Sequence, residues 1–143
     1  MKYTISSEDT MKQLGEQLGH GLKGGEVIEL IGDIGAGKTT LTKGIAAGLG
    51  VVDDVQSPSF TISRTYEAAH DLQLVHYDFY RLSDPGILAA ELHDIVGDPR
   101  VIVIVEWADV VKDVLPEDHI TIRIESPSEW SRDVSIAPSN LVD

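Results

Sequence analysis

The stretch Gly32-Asp33-Ile34-Gly35-Ala36-Gly37-Lys38-Thr39 matches the spacing Gly-x-x-x-x-Gly-Lys-Ser/Thr without a mismatch. That pattern restricts the chain to folds in which a strand feeds a glycine-rich loop that opens a helix. Glycines let the backbone curl so that successive N–H groups turn inward onto phosphate oxygens. Lys38 then reaches the β- and γ-phosphates, Thr39 offers a hydroxyl to Mg²⁺, and the helix N-terminus aims its partial positive charge at the anion. The flanks agree. Glu26 to Ile31 reads as a short strand entering the loop, and Leu41, Ile45 and Leu49 recur at helical spacing after it, with Gly50 as the stop. The pattern therefore predicts a nucleoside-triphosphate site in a P-loop setting.

At 143 residues the chain is expected to be one domain, residues 1–143, large enough for a real core but small for a nucleotide hydrolase with its own substrate domain. That size suggests a protein partner. No apolar run approaches a membrane span, and Met1-Lys2-Tyr3-Thr4 lacks the layout of a signal peptide, so a cytoplasmic location is expected. The absence of cysteine excludes disulfides and thiolate-bound zinc or iron–sulfur clusters. A formal net charge of -13 argues against a phosphate-backbone footprint, so direct tRNA or other RNA binding is not expected. The acidity serves either solubility or the choice of a basic partner surface.

Along the chain, Ser6 to Leu22 reads as an amphipathic helix with Ser6 or Ser7 as N-cap and Met11, Leu14, Leu18 and Leu22 on one face. Gly24-Gly25 breaks it. Val51 to Ser59 is polar, contains Pro58 and reads as loop. The β-prone runs Phe60 to Tyr66 and Leu72 to Tyr77 suggest an antiparallel hairpin. Asp84 and Pro85 open a helical stretch carrying Ile87, Leu88, Leu92 and Ile95, which Gly97 and Pro99 end. Val101 to Val105 is the most apolar run, as expected of a central strand covered on both faces. A short helical piece around Val110 to Val114 precedes the alternating Ile120, Ile122 and Ile124, and Asp133 to Ala137 supplies a last edge strand. Ser139 to Asp143 is expected to fray. The sum is an α/β fold, a mixed parallel and antiparallel sheet flanked by helices around a P-loop.

Beyond the loop itself, a P-loop enzyme needs a carboxylate near Mg²⁺, usually at the carboxyl end of a buried strand. Glu106 ends the aliphatic run in that position; the plainer alternative is a solvated acid just past the strand. Asp78 ends Val75-His76-Tyr77-Asp78 and either orients the attacking water or merely starts the next turn. Ser57 and Ser59 lie where switch-like loops bring a hydroxyl to the γ-phosphate, or in a plain turn. The five histidines show no metal-ligand spacing, and His76 with Asp78 forms only an H-x-D pair, more often structural than metallic.

Four motifs then occur in order: Gly-Asp-Ile-Gly-Ala-Gly-Lys-Thr-Thr from Gly32, Ser-Pro-Ser-Phe from Ser57, His-Tyr-Asp-Phe-Tyr-Arg-Leu from His76, and Glu-Trp from Glu106. Together they resemble the TsaE family, formerly YjeE, from the Thr10 helix to the Arg132 region. The resemblance implies a bacterial ATPase, with ATP and Mg²⁺ as cofactors, needed to make threonylcarbamoyladenosine in tRNA. It implies a helper of TsaB and TsaD, in which TsaD carries the transfer chemistry and hydrolysis supports repeated turnover. By the same resemblance Lys38 and Thr39 hold phosphate and Mg²⁺, with Asp33, Ile34, Gly35, Ala36, Gly37 and Thr40 around the nucleotide. Glu106 is the metal-linked acid, Asp78 supports hydrolysis, and Trp107 lies close to the nucleotide. Thr10, Asp109 and Arg132 correspond to nucleotide-adjacent regions. Ser59 departs from the family's usual threonine but keeps the hydroxyl.

Two other classes share the loop. A small-molecule or nucleotide kinase would bring a basic lid, which the short, arginine-poor segment after Asp84 does not provide. A regulatory GTPase would carry Asn-Lys-x-Asp, which does not follow the P-loop here.

Overall fold

In chain order the elements are β1 (Lys2–Ile5), α1 (Glu8–Gly21), β2 (Val27–Gly32), α2 (Lys38–Gly48), β3 (Ser63–Glu67), β4 (Gln73–Asp78), α3 (Ile87–Ile95), β5 (Val101–Glu106), β6 (Ile120–Ser128) and β7 (Ser131–Ala137). They come from a computed structural model that describes residues 1–33, 35–53, 55, 62–80, 82–84 and 86–138. Ile34, Ser57 to Phe60 and Ser139 to Asp143, on which several sequence expectations fall, lie outside the described residues. A 3-10 turn spans Ala69–Asp71, and a longer 3-10 stretch runs over Ala108–Val114, where a short helical piece is expected.

The strands form one sheet in the order β1-β7-β6-β2-β5-β4-β3. Its centre is parallel, because β2 pairs with both β5 and β6, and β5 pairs with β4. Antiparallel strands extend both sides: β3 closes the hairpin with β4, and β7 with β1 continues beyond β6. The mixed sheet and the β3–β4 hairpin agree with the sequence. Two details differ. β7 is an inner strand, since Lys2 to Ile5 pairs along it as the true edge. The start of α3 is also later than expected: Gly86, with φ 55°, is its N-cap. Asp84 instead accepts the Gly86 N–H at 2.9 Å, closing the turn before the helix, while Pro85 lies outside the described residues.

Side-chain alternation along the strands separates two apolar layers. Ile28, Leu30, Leu74, Ile102, Ile104 and Ile122 face α1 and α2, where Met11, Leu14, Leu18, Leu41 and Ile45 cover them. Val27, Val75, Tyr77, Val101, Val103 and Val105 face the opposite way, against Leu92 of α3 and Ala108 and Val111 of the 3-10 stretch. Strand β5 is buried over its whole length, as its continuous aliphatic sequence requires.

Helices α1 and α2 cross at backbone distance. A Cβ on Gly15 would lie 2.5 Å from the Leu41 carbonyl oxygen, and one on Gly44 would lie 2.2 Å from that of Lys12. Gly19 and Gly48 are equally close to the facing helix. This packing seats α1 directly beside the P-loop: Met11 Cε would lie 3.2 Å from a Cβ on Gly37.

Candidate nucleotide-binding site

The loop between β2 and α2 has the backbone that its glycines permit. Gly35 and Gly37 adopt φ of 84° and 109°, in the left-handed region, and a Cβ at Gly35 would meet nothing within 4 Å. Helix α2 then begins with no side-chain cap and no acidic residue in its first turn. Helix α1 is the contrast: Ser7 caps it by accepting the Thr10 N–H at 3.1 Å, and Glu8 and Asp9 stand in its first turn. Among the described residues no side chain serves the first N–H groups of α2, which suits an anion.

Parity and register bring the acids to this point. Glu106 shares its face of β5 with Ile102 and Ile104, and Asp78 shares its face of β4 with Leu74 and His76, so all project toward the α2 side. Asp78 and Glu106 are direct partners across the parallel pair, and His76 lies opposite Ile104. Lys38 Nζ lies 3.4 Å from Glu106 Oε1, and His76 Nε2 lies 2.6 Å from Glu106 Oε2. Glu106 is only 4% exposed and His76 only 1%, so these contacts are made out of water.

Burial pushes the Glu106 carboxyl up, but the His76 hydrogen bond and the charges of His76 and Lys38 outweigh it, leaving the group below the ordinary glutamate range. Asp78 moves the other way. Partial burial raises it, the Tyr80 N–H at 3.0 Å opposes the rise, and the neighbouring Glu106 charge adds to it. Two adjacent carboxyls therefore differ in proton affinity, one kept ionised and one more ready to take a proton.

Lys38 Nζ also lies 4.6 Å from the centre of the Trp107 ring, whose other neighbour is Tyr80 at a centroid distance of 4.8 Å. Trp107 holds φ 55°, rare for an aromatic residue, where the chain leaves β5 and turns into the 3-10 stretch. A cleft of about 350 Å³ opens here, bordered by Lys38, Thr39, Asp78, Tyr80, Glu106 and Trp107.

A family model described as threonylcarbamoyl adenosine biosynthesis protein TsaE matches residues 5–134. The chain belongs to the TsaE family. Similar proteins include the tRNA threonylcarbamoyladenosine biosynthesis protein TsaE of Streptomyces coelicolor, 40% identical over 80% of this chain and 78% of that protein. The protein of the same name from Bacillus subtilis is 36% identical over 92% of this chain and 81% of its own length. The crystal structure of Bacillus subtilis YdiB superposes with a TM-score of 0.78 at 31% identity, covering 95% of this chain and 83% of that one. The P-loop α/β fold expected from the sequence is thus shared with a solved relative.

Against the TsaE motifs, the structure gathers Gly35, Gly37, Lys38, Thr39, Thr40, Asp78, Glu106 and Trp107 around one cleft. Ala36 is buried beneath the loop. Asp33 and Asp109 line a different, larger cleft of about 620 Å³ that Lys38 and Trp107 also border, where Asp109 pairs with Lys112 at 3.6 Å. Thr10 is exposed on α1 with its hydroxyl 2.8 Å from that of Ser7. Arg132 donates from Nε to the Ala36 carbonyl at 3.2 Å and from Nη1 to the carbonyls of Ser128 and Ser131, so it ties the β6–β7 hairpin to the P-loop. The H-x-D pair of His76 with Asp78 is structural rather than metal-binding in pattern; what the sequence does not reveal is that His76, 1% exposed, hydrogen-bonds Glu106. Among the described residues no group of three or more His, Cys, Asp or Glu is placed to hold a metal, and no helix is long and apolar enough to cross a membrane. A Thr39 hydroxyl and one carboxylate suit Mg²⁺, which takes its remaining ligands from water and phosphate.

Proposed function

We propose that this TsaE-family chain is a cytoplasmic, Mg²⁺-dependent ATPase, one domain over residues 1–143, that acts with a TsaB–TsaD complex in threonylcarbamoyladenosine formation. The observation that carries the reading is the pairing of Lys38 with Glu106, beside Asp78, at the uncapped start of α2. When bound, ATP supplies the phosphoanhydride and Mg²⁺ neutralises its charge. Lys38 Nζ holds phosphate oxygens, and the N–H groups of Gly35, Gly37 and Lys38 supply the cradle. The Thr39 hydroxyl and the ionised Glu106 carboxylate hold the metal, and His76 Nε2 keeps that carboxylate oriented. Asp78, whose burial favours the protonated form, orients the attacking water and receives its proton at the carboxylate.

The charge of -13 supports a tRNA contact made by the partner and not by this chain. ATPase activity measured with and without purified TsaB–TsaD tests the proposal. Strong stimulation by the complex is expected. Hydrolysis that ignores the complex but rises with a small phosphate acceptor would replace this reading with a kinase.

A further inference from the structure

The tip of the β6–β7 hairpin exposes a ring where burial is the usual fate. Trp130 is 78% exposed, in the turn Glu129-Trp130 between the paired residues Ser128 and Ser131. Two-residue hairpin turns favour Asn, Asp and Gly, so turn chemistry does not call for an indole here. The turn is nevertheless well held. The Trp130 N–H donates to Ser128 Oγ at 3.2 Å, the Ser128 and Ser131 hydroxyls lie 3.1 Å apart, and Arg132 bonds both the turn and the Ala36 carbonyl.

Trp130 borders a cleft of about 330 Å³ whose walls include Met11, Gly35, Gly37, Thr40 and Arg132. Gly35, Gly37 and Thr40 also border the cleft that holds Lys38 and Thr39, so the two clefts share the P-loop as a common wall. The larger cleft is lined by Glu29, Asp33, Asp109 and Glu125, and the ring it shares with the Lys38–Thr39 cleft, Trp107, already carries Lys38 and Tyr80. Tyr80 and Trp107 on the Lys38–Thr39 cleft pack on each other, so among the described rings of these cleft walls Trp130 is the one with no ring or cation partner.

We propose that Trp130 is the base-stacking residue of this chain, taking the purine face of ATP against its indole. Stacking tolerates any base but grows with the π-surface, so the residue sets affinity and favours purine over pyrimidine nucleotides. Arg132 is the positioning residue that holds the turn over the loop. This inference rests on the ATP-binding reading above, and the test separates the two.

The full chain, with Trp130→Ala and Trp130→Phe, is titrated calorimetrically with Mg-ATP and with Mg-tripolyphosphate, which has the phosphates but no base. Trp130→Ala is expected to weaken ATP binding by about fivefold to a hundredfold while leaving tripolyphosphate unchanged, and Trp130→Phe to recover most of the loss. Unchanged ATP affinity in Trp130→Ala, with the native chain binding ATP, overturns the stacking role alone. Equal losses for ATP and tripolyphosphate also overturn it, since the hairpin would then merely support the loop. Failure of the native chain to bind ATP overturns the stacking role and the ATP-binding reading together.

Discussion

His76 Nε2 and Glu106 Oε2 lie 2.6 Å apart, out of water, while the other Glu106 oxygen faces Lys38 Nζ at 3.4 Å. Each carboxylate oxygen thus has its own partner. His76 Nδ1 is buried with no hydrogen-bond partner among the described residues, so Nε2 is the ring nitrogen that donates, and its hydrogen bond goes to Glu106.

Groups that orient a metal-linked ligand typically matter about tenfold to a hundredfold for metal affinity. His76→Ala should raise the Mg²⁺ concentration needed for half-maximal hydrolysis by about that factor, while metal-free nucleotide binding changes little. His76→Gln, which retains an N–H donor, should recover part of the effect. A Mg²⁺ titration of hydrolysis, set beside calorimetry in chelator, checks the split; an unaltered Mg²⁺ dependence in His76→Ala contradicts it.

The lowered Glu106 carboxyl stabilises the fold while it is ionised. Its contribution is full above the ordinary glutamate value of 4.5 and disappears as pH falls through the lower folded-state value. Melting temperatures measured from neutral pH down through this range should drop more steeply for the native chain than for Glu106→Gln. Parallel curves would show that the His76 and Lys38 contacts add no net stability.

Asp78 has the opposite sign. Its raised carboxyl favours the protonated form, so it costs stability as pH climbs through the ordinary aspartate value of 3.8 and beyond. Asp78→Asn keeps an acceptor for the Tyr80 N–H and removes the charge beside Glu106. The variant should melt higher than the native chain at neutral pH and still bind ATP, yet hydrolyse it more slowly by at least about a hundredfold. Native hydrolysis under single-turnover conditions would remove Asp78 from the chemistry.

Where α1 crosses α2, helix propensity and packing pull in opposite directions. Gly→Ala in an exposed helix gains about 1 kcal/mol. At Gly15 the added Cβ would sit 2.5 Å from the Leu41 carbonyl oxygen, and at Gly44 it would sit 2.2 Å from that of Lys12, so the helices must separate. Overpacking of this kind costs about 1 to 3 kcal/mol or more. Gly15→Ala and Gly44→Ala should therefore lower the urea midpoint, and because the crossing seats Met11 against Gly37, they should weaken ATP binding too. A higher midpoint would mean that propensity wins and the crossing is loose.

Much of this protein follows from local pattern. The P-loop from Gly32 to Thr39, the aliphatic run into Glu106 and the alternation of Ile120, Ile122 and Ile124 are each legible because a strand or helix writes its period into a few neighbouring residues. The same parity places Asp78 and Glu106 at strand ends. Tertiary structure alone decided the rest. Lys2 to Ile5 becomes the sheet edge by pairing with β7, at the far end of the chain. Glycines in two separate helices meet as one crossing, and His76 finds Glu106 across two strands. Trp130 comes to border a cleft with P-loop residues, where Arg132 holds the Ala36 carbonyl. In each case the partner lies tens of residues away, and the energy that fixes the pair comes from packing and burial, which have no period in the chain.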